Sequence, residues 1–160
     1  MVSVHDYLMD QQGVDWATVL AGWSLLLPQQ FTLRLVNCFC DLFVVPPDGS
    51  IHMLDVGAGS LAKVAESRED FSRRIDDGEN ANNWLMLPLV DKLAAAGMHL
   101  QPGQCYGFKV PPVLGGKYTV ENCAVFPLTE YLGAYGSIHE QLQDVPDGAQ
   151  VILKLGKRPS

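Results

Sequence analysis

The stretch from Asp41 to Ala65 constrains this chain most. Asp41-Leu-Phe-Val-Val45, Ser50-Ile-His-Met-Leu-Asp-Val56 and Leu61-Ala-Lys-Val-Ala65 are three short runs of β-type composition. They are separated only by Pro46-Pro-Asp-Gly49 and by the turn Gly57-Ala-Gly59. Connections this short cannot hold the crossover that parallel neighbours need, so the runs are expected to pair as a three-stranded antiparallel meander.

The remaining pattern places helices around such a sheet. Val14 to Leu27 carries Trp16, Val19, Leu20, Trp23 and Leu27 at helical spacing, with Asp15 at the start and Pro28 beyond the end. Phe31 to Phe39 fits either helix or strand, and Pro28 upstream favours helix. Ser67 to about Asp77 reads as a helix capped by Ser67, Asn80 to Asn83 as a polar break, and Trp84 to Ala96 as a helix ending at Gly97. Cys105 to Val110 and Tyr118 to Phe126 read as strands, Thr129 to Gln143 as a helix. Val145-Pro-Asp-Gly148 then turns into a strand at Val151 to Leu155, before a loose tail at residues 156–160. The expected fold is α+β, one domain over residues 1–160, with a mainly antiparallel sheet flanked by helices.

Charge and composition exclude several functions. The chain has 160 residues with 11 basic and 18 acidic side chains, a net charge of −7 that opposes direct contact with nucleic acid. No apolar run is long enough to span a bilayer and the first residues do not form a secretory signal, so a cytoplasmic protein is expected. Cys38, Cys40, Cys105 and Cys123 lack the spacing of a zinc site, and buried free thiols are expected instead. No metal or other cofactor is implied.

No catalytic motif is found. Met53-Leu-Asp-Val-Gly57-Ala-Gly59-Ser60 begins like a nucleotide-binding glycine loop, but no third glycine follows, and Leu61 to Ala65 alternates as a strand where that loop needs a helix. His5, His52, His99 and His139 have no metal-ligand spacing, and there is no Gly-x-Ser-x-Gly elbow. Two segments remain informative. Residues 1–100 hold the whole charge excess, with 6 basic and 13 acidic side chains. The acids are densest in Glu66 to Asp70 and Asp76 to Glu79, a solvated helical surface or a docking face for a basic partner. Gln104 to Lys117 concentrates glycine, proline and aromatic residues, which fixes an unusual backbone path or presents a rigid recognition loop with Tyr106, Lys109 and Tyr118 exposed.

A family resemblance joins these pieces. It is carried by Asp41-Leu-Phe-Val44, Gly49-Ser-Ile-His-Met-Leu-Asp-Val-Gly-Ala-Gly59 and Val64-Ala-Glu-Ser67. Pro102-Gly-Gln-Cys-Tyr-Gly-Phe-Lys-Val-Pro-Pro-Val-Leu-Gly-Gly116, Gly136-Ser-Ile-His139 and Asp144-Val-Pro-Asp-Gly148 complete it. With these residues the chain resembles, from about Val14 to Leu155, a bacterial domain family that includes the immunity protein of a type VI secretion DNase effector. The resemblance implies a non-enzymatic cytoplasmic protein that binds a toxin and occludes its active site. Within that reading, Asp76, Asp77 and Glu79 are the expected steering acids toward a basic, nuclease-type effector, with Trp84 as an anchor if exposed. The alternative is a small-ligand binder or enzyme that uses a cleft near Tyr106, Lys109 and His139.

Overall fold

A computed structural model describes residues 4–143, so the turn and strand expected at 145–155 lie outside the described residues. Its strands are β1 (Thr32–Val36), β2 (Leu42–Val45), β3 (Ile51–Asp55), β4 (Ser60–Ala65), β5 (Gln104–Phe108) and β6 (Cys123–Pro127). Its helices are α1 (Trp16–Val19), α2 (Arg68–Ile75), α3 (Gly78–Leu85), α4 (Leu87–Ala95) and α5 (Leu128–Leu142), with short 3₁₀ turns between. The first four strands form one antiparallel sheet in the order β1-β2-β3-β4, and β5 pairs antiparallel with β6. The fold is α+β, as expected, and the meander gains a fourth strand.

That fourth strand corrects the helical reading of Phe31 to Phe39. Helical spacing alone is a weak prior, and pairing of β1 against Leu42 to Val45 overrides it. A bulge between Leu33 and Leu35 shifts the register, so these residues pack on opposite sides of the sheet instead of sharing one face. The clean alternation that marks a strand is therefore absent from the sequence.

The helices depart from expectation in two places. Asp15 caps α1 as expected, its carboxylate accepting from Thr18 N. The helix stops after Val19, however, and Ala21–Trp23 form a 3₁₀ turn. The Trp23 indole donates to Leu132 O at 2.9 Å and ties this turn to α5. The polar break expected at Asn80 to Asn83 is instead the middle of α3, capped by Asp77. Its buried side chains, Ala81 and Leu85, stand one turn apart, so the apolar stripe is too thin to be conspicuous in sequence. Met86 adopts a left-handed φ of 54° between α3 and α4, where Pro88 in the first turn of α4 prevents a continuous helix.

The β1–β4 sheet is covered on both faces. Leu42, Val44 and Leu54 pack with Trp23 and with Leu128, Leu132 and Ile138 of α5. Phe43, Ile51 and Ala65 pack with Phe71, Leu85, Leu89 and Leu93 of α2–α4. Tyr106 N donates to Cys38 O at 2.8 Å, joining β5 to the turn between β1 and β2.

That turn contains a buried polar node. Asn37 and Asp41 are 0% and 4% exposed. Asn37 Oδ1 accepts from Phe39 N (2.9 Å) and Asp41 N (3.0 Å). Its Nδ2 donates to Asp41 Oδ2 (3.0 Å) and to Trp84 O at the end of α3 (2.8 Å). Asp41 Oδ1 accepts from Val56 N, just after β3, at 2.9 Å. Cys40, between them, takes a left-handed φ of 66°. Burial, then the nearby Asp55 charge, push the Asp41 carboxyl up to about 8, so the folded chain keeps its proton at neutral pH.

Two outcomes follow. Asn37→Ala strands two backbone donors, a helix-end carbonyl and the carboxyl group together, and is expected to cost about 3–4 kcal/mol in urea unfolding. Because the folded carboxyl has the raised pKa, its stabilisation is complete in acid and is lost as pH rises towards 8. Burial holds His139 below its ordinary value, so its contribution is gained as pH rises through the histidine range, and that gain is nearly complete at neutral pH. Between about pH 6.5 and about pH 8, unfolding free energy is expected to fall by on the order of 1 kcal/mol, and Asp41→Asn to remove that slope.

Candidate functional site

The acidic segment folds into the corner between α2 and α3. Ser67 Oγ accepts from Asp70 N, and Asp70 in return accepts from Glu66 N, a reciprocal cap. Arg73 and Arg74 also bond to the Asp70 carboxylate, at 3.0 and 2.9 Å. The Glu66 backbone bond, followed by Arg74, holds this group below the ordinary carboxylate range. Asp70 is thus spent on the helix start, and Glu66 pairs with Lys63 at 2.7 Å.

Asp76, Asp77 and Glu79 remain exposed on the corner. Asp77 accepts from Glu79 N at 2.9 Å, and Asp77 and Glu79 sit at the α3 N-terminus, where the helix dipole favours negative charge. Asn80 Nδ2 donates to Arg74 O across the corner. Trp84, further along α3, is only partly exposed. Its ring stacks on Phe71 with centroids 5.5 Å apart and meets Phe43 edge-on, so it fastens α3 to the sheet.

A second surface surrounds the loop 109–118. Both ends of this loop are held by backbone bonds from one side chain. Asn122 Oδ1 accepts from Val110 N, and Asn122 Nδ2 donates to Val110 O (3.0 Å) and Lys117 O (2.8 Å). Upstream, Tyr131 Oη meets Phe108 N at 3.3 Å and Tyr135 Oη donates to Phe108 O at 2.6 Å. Gly107 is required here because any Cβ would strike Tyr131 and Phe126. A Cβ on Gly116 would likewise strike Val110 O. The loop also docks on the β3–β4 turn, with Val113 N donating to Gly57 O at 3.3 Å.

This rigid loop displays apolar side chains. Among the described residues the exposed large hydrophobic ones are Leu25 (60%), Val110 (48%), Val113 (41%), Leu114 (38%) and Tyr118 (54%). Four of the five belong to the loop. The sequence marked the segment as special, and two of its three expected exposed residues are exposed: Lys109 and Tyr118 are, whereas Tyr106 is buried. Tyr106 packs on Phe39 and donates to Met98 O at 2.6 Å.

Leu25 and Val113 both line a cleft of about 280 Å³, also lined by Trp23, Leu26, His139 and Glu140. His139 Nε2 lies 2.6 Å from Val56 O, and the ring packs 5.3 Å from Trp23. Gly59, at φ +70°, has no room for a Cβ beneath that ring. Gly59 of the β3–β4 turn thus makes a seat for the histidine, while Gly57 leaves room for Pro112 and Phe108. With its Nε2–H on a carbonyl, the neutral ring bonds to no hydroxyl, thiol or carboxylate among the described residues. Tyr106 and Lys109 do not line this cleft, so the structure does not bring the alternative trio together.

Cys38, Cys40, Cys105 and Cys123 are buried free thiols, as expected. Among the described residues no group of three or more His, Cys, Asp or Glu side chains is placed to hold a metal ion. No described helix is long and apolar enough to cross a membrane.

No curated protein and no solved structure matches the chain. Residues 65–139, a little under half of it, match the family model described as T6SS immunity protein Tdi1, C-terminal. The matched segment runs from the end of β4 to His139 and contains the acidic corner and the apolar loop. Over this segment, the chain is similar to the C-terminal part of a type VI secretion immunity protein.

Proposed function

We propose that this chain neutralises a basic, nuclease-type effector by binding its surface and covering its active site, and that it does so in the cytoplasm. Toxin neutralisation is supported by the match of residues 65–139 to an immunity-protein family model. The nuclease partner is supported by the net charge of −7 and by the resemblance to an immunity protein of a DNase effector. One observation carries the reading furthest. Asp76, Asp77 and Glu79 stand exposed at a fixed helix corner inside the family-matched segment, where they project negative potential toward an approaching basic protein. A DNase cleft is built to attract phosphate, so a carboxylate cluster addresses the same positive field. The small-ligand alternative gains no support, because Tyr106 faces the core and does not share the His139 cleft.

Steering has a kinetic signature. The test uses purified, catalytically inactive effector from the same secretion locus, with rates measured at several salt concentrations. The paired substitution Asp76→Ala with Asp77→Ala is expected to slow association about three- to tenfold and flatten its salt dependence, leaving dissociation within about twofold. An unchanged association rate and salt slope in a confirmed complex removes these acids from the mechanism.

A further inference from the structure

An exposed apolar side chain on a mobile loop is ordinary. A cluster of them on a backbone pinned at both ends is not, because the chain has given up the freedom to fold them inward. Val110, Val113, Leu114 and Tyr118 are held outward this way by Asn122, by the Gly57 carbonyl and by the clamps on Phe108. Such pre-organisation lowers the entropy lost when a partner docks. Tyr118 is itself braced, its ring edge-on to Phe108 with centroids 5.1 Å apart.

The adjoining cleft adds a charge preference. Its walls at Leu25, Leu26 and Val113 are aliphatic. Burial keeps His139 neutral at physiological pH, and among the described residues the exposed Glu140 carboxylate has no ion-pair or hydrogen-bond partner. An apolar slot with one free carboxylate at its rim fits an aliphatic stem with a cationic head, which describes lysine or arginine. A basic effector supplies such side chains.

We propose that the effector docks on the rigid face formed by Val110, Val113, Leu114, Tyr118 and Leu25, with one of its lysine or arginine side chains lying in the cleft beside Glu140. This rests on the neutralisation reading above and assigns the contact surface within it. The acidic corner and the loop then have separate tasks, the first governing approach and the second retention.

The same inactive effector serves as the probe, with wild-type chain, Val113→Asp combined with Leu114→Asp, and Glu140→Arg. All three altered positions are exposed, so circular dichroism and thermal melting are expected to match wild type. The double variant is expected to weaken binding about 100-fold, mainly through faster dissociation, and Glu140→Arg about tenfold. If wild type binds and both folded variants bind within about twofold of it, the docking face lies elsewhere and the neutralisation reading stands. If wild-type chain does not bind this effector, both fall.

Discussion

Asn37 and Asp41 fix how a turn, the end of a strand and the end of a helix meet. Their side chains close the turn between β1 and β2, receive the amide that follows β3, and cap the carbonyl end of α3. Most of these groups are buried, and a buried polar group must be paired within the protein. Apolar packing on the two faces of the sheet supplies most of the attraction, but it is not directional. The amide and carboxyl pair sets which turn lies against which helix. Keeping the Asp41 proton at neutral pH lets this pairing exist without a buried charge and without a cation to balance it.

From that node the second half of the fold is hung in sequence. The Cys38 carbonyl in the same turn takes the amide of Tyr106, which brings β5 against the first sheet. Tyr131 and Tyr135 of α5 then grip both backbone groups of Phe108, and Asn122 fixes the loop that follows. The apolar display surface is thus the last link in a run of backbone hydrogen bonds that starts in the buried turn.

The meander was legible because its turns are too short for any other connection, and the Ser67 and Asp15 caps because their chemistry is local. β1 was hidden by its bulge, which breaks the period of two, and α3 by its narrow apolar stripe. The acidic segment showed its composition but not its division of labour. Asp70 is consumed by two arginines and a backbone amide, which depends on how α2 begins, while Asp76, Asp77 and Glu79 stay outside. In the glycine- and proline-rich segment the special backbone was evident from residue types. Which aromatic points outward was not, because Tyr106 faces a core whose position depends on the whole chain.

The clamps on the 109–118 loop act through main-chain atoms: Val110 and Lys117 are held by their amide and carbonyl groups, whatever side chains they carry. The path of the loop is therefore set with little dependence on the side chains of residues 110, 113 and 114. In a contest between toxins and their inhibitors, such an arrangement is an evolvable one. For the docking face proposed above, the recognition alphabet can be rewritten letter by letter to follow a changing adversary, while the scaffold that spells it out stays folded.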